Sequence, residues 1–161
     1  MKGLIVIGYQ GIGKSSCGGK GRCVDLESSN FYVDNKRSLD WYRPYCNIAM
    51  SIANQRYVVF VSSHKEVREQ LRKMPLSENV GAITVFCPQK RWKSLWIERL
   101  EKRYKETYTS KDFKALQNAK EKYEENIHDL VNSGFFVYQP AGMDYDLMGY
   151  VKKMLRDWCL E

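Results

Sequence analysis

The 161-residue sequence lacks any apolar run near the roughly 18–20 residues that a membrane span requires. Its opening, MKGLIVIGY, runs into glycines rather than a cleavage site, so a soluble, cytoplasmic protein with no membrane partner is expected. Cysteine is present but unorganised. Cys17, Cys23, Cys46, Cys87 and Cys159 form no CxxC pair and are odd in number, which argues against a zinc ribbon or a closed disulfide framework. With 11 glycines and 4 prolines the chain is too poor in both for a fibrous protein. No repeat, low-complexity tract or proline-rich linker divides it, so residues 1–161 are expected to form one domain.

What is present is core material and positive charge. The composition is 43% hydrophobic and 13% aromatic, too much for a disordered chain. Lysine and arginine number 26 against 19 acids, and the resulting charge of +7 favours acidic partners, either nucleotides or nucleic acid.

Short apolar runs rich in β-branched residues recur at Gly3 to Gly8, Arg22 to Leu26, Tyr57 to Ser62, Ala82 to Cys87 and Phe135 to Tyr138, and each reads as a strand. Helical spacing lies between them. Asp40 to Ala53 carries Trp41, Tyr45, Ile48, Ala49 and Ile52 on one stripe behind an Asp cap, and Lys65 to Lys73 is a short charged helix stopped by Pro75. Lys111 to Val131 aligns Phe113, Leu116, Tyr123, Ile127 and Leu130 before a stop at Gly134. A last helix from Asp146 places Leu147, Tyr150, Val151, Met154, Leu155 and Trp158 for packing. Alternating strands and helices predict an α/β fold with a mostly parallel five-stranded sheet between two helical layers. The polar stretch Ser28 to Leu39 is the longest weakly patterned segment, and loops of that length are often functional.

Gly8-Tyr9-Gln10-Gly11-Ile12-Gly13-Lys14-Ser15 satisfies GxxxxGK[ST], the Walker A pattern, at the end of the first buried strand. Such glycines let a loop curl so that successive N–H groups face phosphate oxygens. Gly8, Gln10, Gly11, Ile12, Gly13, Lys14, Ser15 and Ser16 are therefore the expected nucleotide-binding residues, with Lys14 reaching the β and γ phosphates and Ser15 ligating magnesium. The helix after the loop should be short, because Gly18, Gly19 and Gly21 each cost a helix interior about 1 kcal/mol.

No carboxylate ends the strands YVVFVSSH and AITVFCP, so the ordinary Walker B acid of motors and GTPases is missing. Asp34-Asn35-Lys36 has the wrong order for a guanine-reading NKxD motif. The acids at a strand end are Asp25 and Glu27, which alternation puts on one face. A phosphate loop, a short helix and an acid ending the second strand resemble the small P-loop kinases of the nucleoside, nucleotide, shikimate and gluconate kinase type. Small size and a basic, tyrosine-rich composition are also similar to kinase-like proteins of bacteriophage.

That resemblance implies a three-layer P-loop NTPase fold with a helical lid around residues 89–110, and a transferase using ATP and Mg2+. Asp25 would position or deprotonate the acceptor hydroxyl, or support magnesium in part through water, with Glu27 second. Related nucleotide kinases carry arginines in the lid; here Trp92, Trp96, Arg99, Leu100 and Arg103 share one helical face, so Arg99 and Arg103 become candidate phosphate clamps and Arg91 a weaker one. His64 and Arg68 follow the third strand, at the sheet edge where ligands bind in doubly wound folds. Tyr42 and Arg43 mix an aromatic ring with a cation, as a base-stacking acceptor pocket would. Tyr138 to Gly142 occupies the place where related kinases hold adenine by the backbone. The expected activity is transfer of the γ phosphate to a small acceptor such as a nucleoside or nucleoside monophosphate. The alternatives are a polynucleotide end as acceptor, or nucleotide binding without turnover.

Overall fold

The apolar run Gly3–Gly8 forms the central strand β1 in a computed structural model that describes residues 1–32 and 36–160. Val33, Asp34, Asn35 and Glu161 lie outside the described residues, and with them two positions of the Asp34-Asn35-Lys36 triplet. Four further strands follow, β2 (Cys23–Asp25), β3 (Val58–Ser62), β4 (Val80–Phe86) and β5 (Phe136–Tyr138). Their order across the sheet is β2-β3-β1-β4-β5, and every neighbouring pair runs parallel. Successive side chains of a strand point to opposite faces, and Leu4, Ile5, Val6 and Ile7 are all fully buried, so both faces of β1 are covered. Each such side chain contributes about 1.5–3 kcal/mol relative to exposure. In register, Ile5 sits between Val59 of β3 and Ile83 of β4.

Among the described residues five α-helices connect the strands, α1 (Lys14–Cys17), α2 (Tyr42–Asn54), α3 (Lys65–Lys73), α4 (Lys93–Thr107) and α5 (Ser110–Val131), and α6 (Leu147–Trp158) follows the last strand. The fold is α/β, a parallel sheet between helical layers, as the alternation predicts. Helix α1 is a single turn because Gly18 leaves the helical region at φ −61°, ψ 136°. Helix α3 spans the expected residues and ends before Pro75. Among the described residues no helix is long and apolar enough to cross a membrane.

Several local expectations fail for identifiable reasons. Asp40 does not cap α2, whose preceding residue is Trp41 with no side-chain cap bond. Ile48 is exposed, because α2 turns the smaller residues Cys46, Ala49 and Ala53 inward, where they are fully buried. Phe113 is also exposed and packs on the Tyr104 ring at 5.4 Å rather than on the sheet. Trp158 lies half in solvent against Phe136. Helix α5 ends at Val131, with Asn132 rather than Gly134 as its cap, and bends at Lys122, where φ is −136°. A capping bond from the Asp112 N–H to Thr109 Oγ1 starts α5 just beyond the turn from α4.

Candidate active site

Between β1 and α1 the chain curls, and Gly11 and Gly13 carry the curl at φ 89° and 107°. A side chain at either position would strain the backbone. The carbonyls of this loop are held from outside. Trp96 of α4 donates its indole N–H to Gln10 O at 2.9 Å, Arg99 donates to Gly11 O at 3.4 Å, and the Tyr145 hydroxyl donates to Ile12 O at 2.7 Å. Among the described residues the N–H groups of Gly11 and Gly13 have no acceptor. Unclaimed amides on a tightly curled loop form a nest for an anion.

Lys14 folds back so that Nζ donates to Gly8 O at 2.7 Å. Burial pulls its ammonium down to about 8, against the raising effect of Asp25 and Glu27. Ser16 is exposed and donates to Gly13 O, which tightens the turn. Gln10 reaches the other way, its amide N–H groups donating to Ala115 O at 3.0 Å and Asn118 Oδ1 at 3.1 Å of α5.

The loop opens into a cavity of about 660 Å³. Lys14, Ser15, Asp25, Glu27, His64, Arg68 and Arg103 line it, so the structure brings these expected residues together. Asp25 ends β2, and its carboxyl is pushed up to about 6 by burial and by the neighbouring Glu27. Glu27 moves the other way. Burial raises it, but the hydrogen bond and charge of Lys111, with the hydrogen bond from Asp25, outweigh that and lower it. The Lys111 ammonium donates to Glu27 Oε1 at 2.6 Å, tying the start of α5 to the end of β2.

His64 follows β3 and donates from Nδ1 to Ser62 Oγ at 2.9 Å while Nε2 receives an Arg37 N–H at 3.4 Å. Burial and the nearby charge of Arg37 pull its pKa down to about 4, so the ring is neutral at pH 7. A neutral imidazole with both nitrogens engaged orients Arg37 rather than carrying a proton. Arg68 is held by Ser63 O at 3.1 Å and by Asp129 O at 3.5 Å.

The two arginines of α4 part company. Arg103 faces the cavity and pairs with the buried Asp112 at 3.2 Å. Arg99 lies behind the phosphate loop, donating to the Tyr145 hydroxyl at 2.9 Å and stacking over Trp96 at 4.6 Å. Helix α4 therefore rests on the loop rather than standing off it. Tyr42, Arg43 and Arg91 do not line the cavity: Arg43 is exposed beside the Tyr42 ring at 6.0 Å, and Arg91 bonds to Gln89 at 2.6 Å. A second hollow, of about 390 Å³, lies against the segment after β5, lined by Tyr138, Pro140, Ala141, Gly142, Tyr145 and Tyr150.

No family model and no curated protein sequence matches this chain. Among solved structures it is similar to a gluconokinase from Sinorhizobium meliloti 1021, at 16% identity over 96% of this chain and 90% of that one, with a TM-score of 0.47.

Sequence reasoning missed Tyr145, Lys111, Arg37 and the polar role of Trp96. Tyr145 and Lys111 carry no local signal, since their partners Ile12 and Glu27 lie far away along the chain. Arg37 had one, in that it belongs to the long polar stretch after β2. Among the described residues no group of three or more His, Cys, Asp or Glu could hold a metal by itself. Ser15 and Asp25, which both line the cavity beside the loop, offer a hydroxyl and a carboxylate oxygen, the donor types that magnesium takes together with phosphates and water.

Proposed function

We infer that this protein is an ATP-dependent phosphotransferase acting on a small acceptor. The observation that carries the reading is the phosphate loop itself, with three consecutive carbonyls held outward, unclaimed amides, and a carboxyl raised to about 6 across the cavity. The loop from Gly8 to Ser15 would cradle the donor phosphates, and Lys14 would leave Gly8 O for their oxygens. Ser15 and, through water, Asp25 would hold magnesium, which when bound supplies neutralisation of the phosphate charge.

Asp25 takes the proton of the acceptor hydroxyl as that oxygen bonds to the γ phosphorus and the bond to the β–γ bridging oxygen breaks, leaving ADP. A base near 6 is ionised at pH 7 and close enough in strength to share a hydroxyl proton in the transition state. Arg103 neutralises charge developing on the transferred group, with Asp112 fixing its direction. Arg99 acts at one remove by bracing Gly11 and Tyr145. Tyr145 belongs both to the loop's outer support and to the hollow after β5, and this shared residue supports the hollow as the seat the donor base would take.

The test is transfer from γ-labelled ATP with magnesium to nucleosides, nucleoside monophosphates, sugars, sugar acids and 5′-hydroxyl oligonucleotides. Label on a small acceptor, lost in Lys14→Ala while the variant keeps its far-ultraviolet spectrum, is the expected result. Turnover unchanged in that variant sinks the reading. Label on oligonucleotides alone moves the activity to polynucleotide ends.

A further inference from the structure

The cations that line the main cavity, Lys14 of the loop apart, fall into two sets. Lys65, Arg103 and Lys111 each have a carboxylate, Glu69, Asp112 and Glu27. Arg37, Arg68, Lys114 and Lys122 have none within ion-pair distance among the described residues. Arg68 is bonded only to backbone carbonyls, with the Asp129, Glu69 and Glu66 carboxylates acting on it at longer range. Arg37 and Lys114 sit on the same ring, 4.7 Å and 5.0 Å from the centroid of Tyr32. Two like charges on one ring repel, and each cation–π contact offsets only about 0.5–1 kcal/mol at sites open to water.

Arg37 is also built in. Its guanidinium lies 4.2 Å over the buried Trp41 ring, and His64 Nε2 accepts one of its N–H groups. His64 is in turn fixed by Ser62 and meets Trp41 edge-on at 5.2 Å between centroids. A guanidinium held by two rings and a neutral acceptor keeps its remaining donors in a fixed fork, the geometry that suits carboxylate or phosphate. None of these contacts involves the phosphate loop, whose own lysine is Lys14.

We propose that the acceptor carries its own anion, a carboxylate or a phosphate, and that Arg37 and Lys114, flanked by Arg68, bind it at this wall while the acceptor hydroxyl faces Asp25. Arg37 is then the residue that selects charged acceptors over neutral nucleosides and sugars. The inference rests on the phosphotransferase reading for the hydroxyl at Asp25, and its anion site is testable without turnover.

The protein is saturated with magnesium and a non-hydrolysable ATP analogue, so that the phosphate loop is filled. Nucleoside monophosphates and four- to six-carbon sugar acids are then titrated in calorimetry beside the matching nucleosides and neutral sugars. Expected is binding of at least one anionic compound, weakened tenfold or more in Arg37→Gln and less in Lys114→Gln, with the analogue's own affinity unchanged and partial recovery in Arg37→Lys. A monophosphate or a sugar acid as the bound partner distinguishes the two anions. Binding of neutral compounds alone, anion binding indifferent to Arg37→Gln, or no second-site binding overturns the proposal. Failure of label transfer beside intact second-site anion binding overturns the phosphotransferase reading and leaves the anion wall standing. Thermal melts of Arg37→Gln and Arg37→Lys separate loss of the site from loss of the fold.

Discussion

The Trp96 indole and the Gln10 carbonyl are bonded at 2.9 Å, and this contact joins the first helix of the α4–α5 pair to the second variable position of the phosphate loop. It is one of three such ties, and it comes from a side chain with no exposed surface. The loop's shape is thus imposed from behind by the layer that a lid would occupy.

Replacing Trp96 by Phe keeps most of the ring and removes the donor. A buried carbonyl left without its partner costs about 1–3 kcal/mol. Part of that cost appears as a floppier loop, and titration with an ATP analogue should show affinity falling about 5- to 10-fold. Tyr145→Phe, which frees Ile12 O and Arg99 together, should do at least as much. Unchanged affinity in both variants rules out outward-held carbonyls as the loop's organising device.

On the phosphotransferase reading, Asp25 should set the acid limb of activity. With its carboxyl raised to about 6, kcat/KM should climb between pH 5 and 7 and fall again as the Lys14 ammonium, lowered to about 8, loses its proton, and Asp25→Asn should lose about 10²- to 10⁴-fold and flatten the acid limb. The stability sign is opposite. A folded-state pKa above the ordinary carboxylate value means the folded chain holds the proton more tightly, so this group's contribution declines as pH rises from about 4 to 6. Asp25→Asn should therefore melt higher than the parent at pH 7, and a lower melting temperature there contradicts the raised carboxyl.

Asp112 holds the α4–α5 turn. It is 7% exposed, accepts from Thr107 Oγ1, pairs with Arg103 at 3.2 Å and has its own N–H capped by Thr109. Asp112→Ala should cost about 2 kcal/mol, the range for hydrogen bonds to a charged group, and release Arg103. Thermal melting checks the first effect. Transfer assays check the second, where KM should change little and kcat should fall.

Legibility followed the range of the interaction that decides each feature. Strand β1 and helix α3 read directly from the sequence, because continuous burial and a proline stop are written in consecutive residues. The glycines of the loop after β1 read equally well, because the positive φ at Gly11 and Gly13 is a local matter too. Ile48 and Phe113 misled, since helical spacing specifies a stripe but not how close the neighbouring layer comes, and small residues let α2 settle on a different face. Arg99 and Arg103 share a helical face in the sequence, yet their directions are decided by Tyr145 and Asp112, partners that periodicity does not reveal. The cation cluster around Tyr32 was hidden for a related reason. Tyr32 and Arg37 share one stretch of chain, but His64 and Lys114 come from two others, and the four meet only in the folded cavity.

Strand order gives the molecule a built-in sequence of failure. The phosphate loop hangs from β1, which has partners on both sides, whereas Asp25 is the last residue of β2, a three-residue strand at the sheet's edge. Edge elements with few backbone bonds open at lower free energy than central ones. Mild heat or dilute urea should therefore detach the acid before it disturbs the loop after β1, and on the phosphotransferase reading such a chain would still bind its donor while transfer had stopped. Amide exchange would register the same hierarchy as early labelling of Cys23 to Asp25 and late labelling of Leu4 to Ile7.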